Sequence, residues 1–179
     1  MFDFFMIVIV SGGPGVGKTS VINKLRERGY NALEEAARKV ATEDNRFSGK
    51  SINEIDRRPF QEAIFELQKK LFDVSPQETW FSDRGFGDTI GYYPVIGYEA
   101  PQSMVNYAKE HIPDYVFILD LLPEMEKDNF RQDSLDDQKR LQESFIQVYE
   151  GLGCDVIQVP VMSVSKRADY ILDRVKFNN

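Results

Sequence analysis

One cysteine and one histidine are all that 179 residues offer of the two softest metal-binding side chains. A lone Cys154 cannot close an internal disulfide, which fits a reducing compartment and a role as a small buried hydrophobe. His111, in His111-Ile112-Pro113-Asp114, has no cysteine or histidine close in sequence to share a metal and reads as structural. Basic charge is also scarce: 22 Lys and Arg against 29 Asp and Glu leave a net charge of −7 and a pI near 4.9. A polyanion is held by a basic face that releases counterions, so this balance argues against nucleic acid and for a small substrate. Long apolar runs are missing as well, since no stretch approaches the about 20 residues that cross a bilayer. The apolar opening, Met1 to Val10, carries Asp3, has no basic leader and runs straight into the motif described next. The expectation is one soluble, cytoplasmic domain over 1–179 without membrane insertion, of undetermined oligomeric state. No internal repeat or interdomain linker interrupts it.

What the chain does have is Gly12-Gly13-Pro14-Gly15-Val16-Gly17-Lys18-Thr19, every position of GxxxxGK[ST], directly after the apolar run Met6 to Ser11 and before a helical pattern. Glycines permit backbone angles that let successive N–H groups turn inward around a phosphate, at the positive end of the following helix. Lys18 supplies charge for the β- and γ-phosphates, and the Thr19 hydroxyl suits Mg2+ bridging them. The expected nucleotide-binding set is Gly12 to Thr19 with Ser20 beside it. A nucleoside triphosphate, ATP, is the predicted ligand.

The rest of the chain alternates. Val21, Ile22 and Leu25 share a helical face that Gly29 ends, and Tyr30 to Glu35 reads as a short second strand. Phe60, Ala63, Ile64, Leu67 and Leu71 predict a long helix that Pro59 starts or kinks, with Gln61, Phe65, Gln68 and Phe72 as a second stripe. Thr79 to Asp83, Tyr115 to Asp120 and Val156 to Val159 read as further strands, and Val164 to Val175 as a closing helix. Strands alternating with helices predict an α/β fold with a parallel sheet, whose ligands bind at the carboxyl ends of the strands. Glu35, Asp83, Arg84 and Asp120 all fall on that edge.

These side chains decide which phosphate chemistry is expected. Asp83 and Asp120 both qualify by position to hold Mg2+, and the Arg84 that follows favours Asp83. Phosphorylating a hydroxyl calls for a group that accepts its proton; Glu35 is the candidate, with Arg38 three residues on to keep it ionised and touch substrate. Arg84 is expected to pin a substrate or phosphate oxygen. Residues 124–141 read as a lid that runs into a polar helix around Asp136 to Arg140, with Arg131 and Arg140 reaching over the triphosphate. Solvated or structural ion pairs are the competing account of each of these charges.

With these pieces in order, the chain resembles the nucleoside and nucleotide kinase group of P-loop proteins. Pro113-Asp114-Tyr115 through Leu122-Pro123-Glu124 is similar to the fourth strand and turn of thymidylate-kinase-like proteins, and Asp83-Arg84-Gly85 to that group's acidic-Arg element. Glu35-x-x-Arg38, Leu119-Asp120-x-x-Pro123 and Asp128-x-x-Arg131 resemble the nicotinamide ribose kinase pattern, and also a family of small P-loop proteins classed as AAA-type ATPases, which includes GTP- and phosphoinositide-binding members. The kinase resemblance implies a three-layer P-loop NTPase fold, a five-stranded sheet in order 2-3-1-4-5, ATP, Mg2+ and transfer to a small nucleoside-like hydroxyl acceptor. It implies catalytic roles for Lys18, Glu35, Asp83, Arg84 and Arg131, substrate contacts from Glu35, Arg38 and Arg84, and metal contacts from Thr19 and Asp83. The loop is GGPGVGKT rather than serine-rich, so the resemblance does not carry a substrate identity. The alternative is a nucleotide-dependent switch or slow ATPase or GTPase with a protein or lipid partner, although no Asn-Lys-x-Asp guanine-reading motif is present.

Overall fold

A computed structural model of the chain describes residues 6–73, 78–122 and 135–177. Five short strands, β1 (Ile7–Ser11), β2 (Asn31–Leu33), β3 (Trp80–Asp83), β4 (Tyr115–Leu119) and β5 (Val156–Val159), pair in parallel in the order β2-β3-β1-β4-β5. The central pair explains why β1 and β4 are continuous apolar runs: Val8, Ile9, Val10, Val116, Phe117, Ile118 and Leu119 are buried, because both faces of the sheet are covered. One face is covered by α1 (Lys18–Glu27) and α7 (Val164–Leu172), with Val21, Ile22, Leu25, Ala168 and Ile171 in a common core with Val8 and Val10. The other face carries α4 (Phe86–Val95), α5 (Gln102–Glu110) and α6 (Leu135–Gly151), whose Ile90, Tyr93, Met104 and Tyr149 pack on Ile9, Val116 and Ile118. Helices α2 (Ala36–Glu43) and α3 (Arg57–Asp73) enclose a smaller third cluster around Val40, Phe47, Phe60 and Ile64.

The two stripes expected on the long helix each find a partner. Phe60 and Ile64 face α2, whereas Gln61, Phe65 and Gln68 are buried on the side of α4, with Phe65 and Phe72 both 5.0 Å from the Phe86 ring. Pro59 sits in the first turn of α3, where its missing N–H costs no helical bond, so it starts the helix. The segment expected to be a lid divides. Residues 124–134, with Arg131, lie outside the described residues, and 135–141 are the opening turns of α6, a helix longer and more deeply packed than its polar start implies. Leu141, Phe145 and Tyr149 are buried along one face of it, while Arg140 is exposed.

Among the described residues no helix is long and apolar enough to cross a membrane. Cys154 is a free, buried thiol, as its lone occurrence suggested.

Candidate nucleotide and phosphoryl-transfer site

β1 delivers the chain into the phosphate loop at the carboxyl edge of the sheet, between β3 and β4. Two glycines there answer to identifiable demands. Gly12 has φ +136°, and a Cβ on it would stand 2.9 Å from the carbonyl oxygen of Leu119; Gly17, with φ +90°, caps α1 in the left-handed region. Among the described residues no side chain caps α1, so the amides of its first turn are left for an anion. Lys18 is buried and donates from Nζ to the carbonyls of Gly12 (3.1 Å) and Gly13 (2.7 Å). Burial, and then the positive charge of Arg84, lower its pKa to about 8.

The loop is braced from two sides. The Gly13 N–H donates to Oε1 of Gln142 on α6 at 3.3 Å. From α7, the buried Arg167 donates to the carbonyls of Val16 (2.5 Å), Pro160 (3.2 Å) and Asp120 (3.4 Å), tying the loop to the ends of β4 and β5.

Thr19 Oγ1 donates to Asp83 Oδ2 at 2.8 Å, so of the two acidic strand ends it is Asp83 that meets the threonine of the motif. The other carboxylate oxygen, Oδ1, is buried and has no hydrogen-bond partner among the described residues. Burial pushes the Asp83 pKa up against the pull of Lys18. An orphaned carboxylate oxygen beside a hydroxyl fits a hard divalent cation, which binds through one or two protein oxygens and otherwise keeps water and phosphate oxygens.

Next to it, Arg84 is buried and holds φ +75°, the one positive φ outside glycine among the described residues. Its Nε donates to Glu35 Oε1 at 3.0 Å and its Nη1 to Asp88 Oδ1 at 2.9 Å, with the guanidinium 5.6 Å from the Tyr92 ring centroid and 5.3 Å from that of Phe145. Such a backbone outlier persists only where its surroundings over-determine it, which the two ion pairs and two rings do here. Glu35 stands at the end of β2 as the N-terminal flank of α2. Burial alone would raise its carboxyl; the charges of Arg84 and then Lys18 outweigh burial and hold it below its ordinary value. The guanidinium that meets Glu35 is that of Arg84, whereas Arg38 is exposed on α2 and adds only a weaker field.

Sequence reasoning missed the hub of this arrangement. Asp88, in the first turn of α4, accepts from Ser11 Oγ, Arg84 Nη1, the Gly85 N–H and the Tyr149 hydroxyl, the last at 2.6 Å. Burial, followed by the Asp88 charge, holds the Tyr149 phenol far above its ordinary pKa, so it remains a donor. The one local signal was an acidic residue three positions after Gly85, where it complements a helix start. Arg84, four residues earlier, is local as well; Ser11 and Tyr149 come from β1 and α6, which only the fold brings together. His111 stacks on Tyr107 with ring centroids 3.9 Å apart and stands away from this edge, in the loop that enters β4.

A parallel sheet in this order, with a glycine loop wrapped onto the start of α1, defines the P-loop NTPase fold. The chain matches the model of a family described as "AAA domain" over residues 7–167, and it belongs to that family. No curated protein matches it. Among solved structures its fold is similar to shikimate kinase from Aquifex aeolicus (19% identity, 93% of this chain and 94% of that one, TM-score 0.57). It is similar too to thymidylate kinase from Candida albicans (12% identity, 94% and 89% covered, TM-score 0.61). The NadR protein in complex with NR aligns with a TM-score of 0.71 at 17% identity, over 98% of this chain and 54% of that one. The chain thus spans about half the length of the NadR structure, and what it shares with all three is the fold.

Proposed function

We infer that the protein is an ATP-dependent kinase that moves the γ-phosphoryl group to a hydroxyl of a small, nucleoside-like metabolite. The observation that carries this reading is Glu35, a carboxylate held ionised by Arg84 on the same sheet edge as Lys18, Thr19 and Asp83. A fixed carboxylate set beside the phosphate loop can accept the proton of an acceptor hydroxyl. That solved proteins of this fold carry names such as shikimate kinase and thymidylate kinase adds support.

In this reading the loop amides and Lys18 seat the β- and γ-phosphates. Thr19 and Asp83 would hold Mg2+, which when bound neutralises charge on the β- and γ-phosphate oxygens. The acceptor oxygen bonds to the γ-phosphorus as the bond to the β,γ-bridging oxygen breaks, ADP leaves with that electron pair, and the hydroxyl proton passes to Glu35. Arg84 fixes the Glu35 carboxylate and offers positive charge to the transferring group. Asp88 fixes Arg84, and is a positioning residue.

The test is ADP release from ATP and Mg2+, with and without a pool of nucleosides and other hydroxylated metabolites, with Lys18→Ala as the blank. Acceptor-dependent ADP is the expected result. Slow release indifferent to the pool, or a preference for GTP, would overturn it in favour of a nucleotide switch or slow hydrolase.

A further inference from the structure

Below the nucleotide site, on the face of the sheet covered by α4, α5 and α6, lies a cavity of about 290 Å³. Its walls are apolar: Ile9 of β1, Phe86 and Gly87 of α4, Ala108 of α5 and Leu152 after α6, with the Tyr149 ring bounding it beside Gly87. An apolar void of about 150 Å³ already takes up benzene, and pockets for small ligands begin at about 300 Å³. The opening lies at the amino-terminal edge of the strands, where Ile7 begins β1 and residues 111–114 lead into β4, far from the phosphate loop in the sheet.

The charges at that opening choose the ligand. Glu110 and Asp114 line the cavity and are exposed, and among the described residues no lysine or arginine lines it. Asp114 Oδ2 accepts from the Ile7 N–H at 2.7 Å, which leaves its other oxygen for a second donor. His111 Nδ1 is engaged with the Tyr107 carbonyl at 2.8 Å, its ring stacked on Tyr107. A ring-sized apolar body with an ammonium end satisfies both the walls and the mouth.

The cavity also touches the nucleotide site through one bond. Tyr149 bounds it with its ring, and its hydroxyl donates to Asp88, which holds Ser11 immediately before the phosphate loop and Arg84 beside Asp83. We propose that this cavity is a second small-molecule site that takes an aromatic or alicyclic amine and transmits its occupancy to the nucleotide site through Tyr149 and Asp88. A ligand that shifts the Tyr149 ring moves the hydroxyl on which Asp88 depends, and affinity changes at the two sites must then be reciprocal.

The test uses the full chain and three probes of one shape: 2-phenylethylamine, 2-phenylethanol and phenylacetate. Methyl signals of Ala108 and Leu152 are titrated by NMR without nucleotide, and the ATP affinity is then measured with and without the amine. The expected result is saturable shifts with the amine tightest and the carboxylate weakest. Ala108→Leu, which fills the cavity, weakens binding about tenfold or more; Leu152→Phe serves if that variant does not fold. Glu110→Gln with Asp114→Asn removes the preference for the amine while binding persists. The amine changes the ATP dissociation constant about fivefold, and Tyr149→Phe abolishes that change while leaving amine binding in place. No saturable shift with any probe, equal binding by the filled variants, or a carboxylate as tight as the amine would overturn the site. An ATP affinity indifferent to bound amine would overturn the coupling. The titration is read without ATP, so the cavity stands or falls independently of the kinase reading.

Discussion

Arg84 bridges two carboxylates, Glu35 and Asp88, and the three charges restrain one another. Arg84 is 7% exposed and Asp88 1%, so removing one charge strands its partner. Asp88→Ala is expected to destabilise the fold by about 3–5 kcal/mol in urea unfolding, with Asp88→Asn milder because the amide oxygen still accepts. Glu35→Gln should spare nucleotide affinity and lower the transfer rate by about 10²–10⁴-fold, as measured by the split between kcat and KM. Lys18→Ala should instead weaken triphosphate binding itself and cost about 10²-fold or more in rate. For pH the sign follows from the direction of the Glu35 shift. Its carboxyl lies below its ordinary value of 4.5, so its ion pair contributes fully above that value and is lost as the pH falls through the lowered one. The acid limb of the transfer rate that belongs to Glu35 should therefore fall below pH 4.5 and vanish in Glu35→Gln. Lys18, Thr19, Glu35, Asp83 and Arg84 were legible as candidates because motif spacing and strand ends are local features. The partner of Glu35 was not legible: Arg38 is near in sequence, but helix α2 carries it to the surface, and Arg84 arrives from just past the end of the neighbouring strand β3.

Helix α4 packs directly against α6, and glycine makes that contact possible. A Cβ on Gly87 would stand 2.5 Å from the Tyr149 ring, and one on Gly91 2.7 Å from Phe145. Gly91→Ala is expected to cost about 1–3 kcal/mol through forced displacement of the Phe145 ring, read as a lowered urea midpoint at unchanged slope. Gly87→Ala should cost as much and also disturb ATP affinity, because the ring it displaces carries the hydroxyl that holds Asp88. The strands and α3 were readable from periodicity, since continuous apolar runs and repeated i, i+4 spacing record which faces are covered. The polar helix expected around Asp136 to Arg140 is there as the opening of α6, but its length was not readable. Its first turn is acidic and exposed, with Asp136 and Asp137, and the apolar face that anchors it appears only at Leu141, Phe145 and Tyr149.

The described residues form three layers, with the phosphate loop at one edge of the sheet and an apolar cavity reaching toward the other. A ligand that binds only the folded state stabilises it by mass action, so ATP at a hundredfold over its dissociation constant should add about 2.7 kcal/mol and raise Tm by several degrees. The same nucleotide should leave the Tm of Lys18→Ala nearly unchanged in a thermal melt. By itself the sequence determined the strand-loop-helix of the phosphate site, the parallel α/β class and the small acidic character, because glycine geometry, apolar periodicity and net charge are properties of neighbouring residues. Tertiary structure alone decided that Arg84 rather than Arg38 serves Glu35, that Asp88 and Tyr149 join the site, and that a cavity lies beneath them. Those contacts link residues 49 to 61 positions apart, and their geometry exists only once the sheet has set its strands side by side.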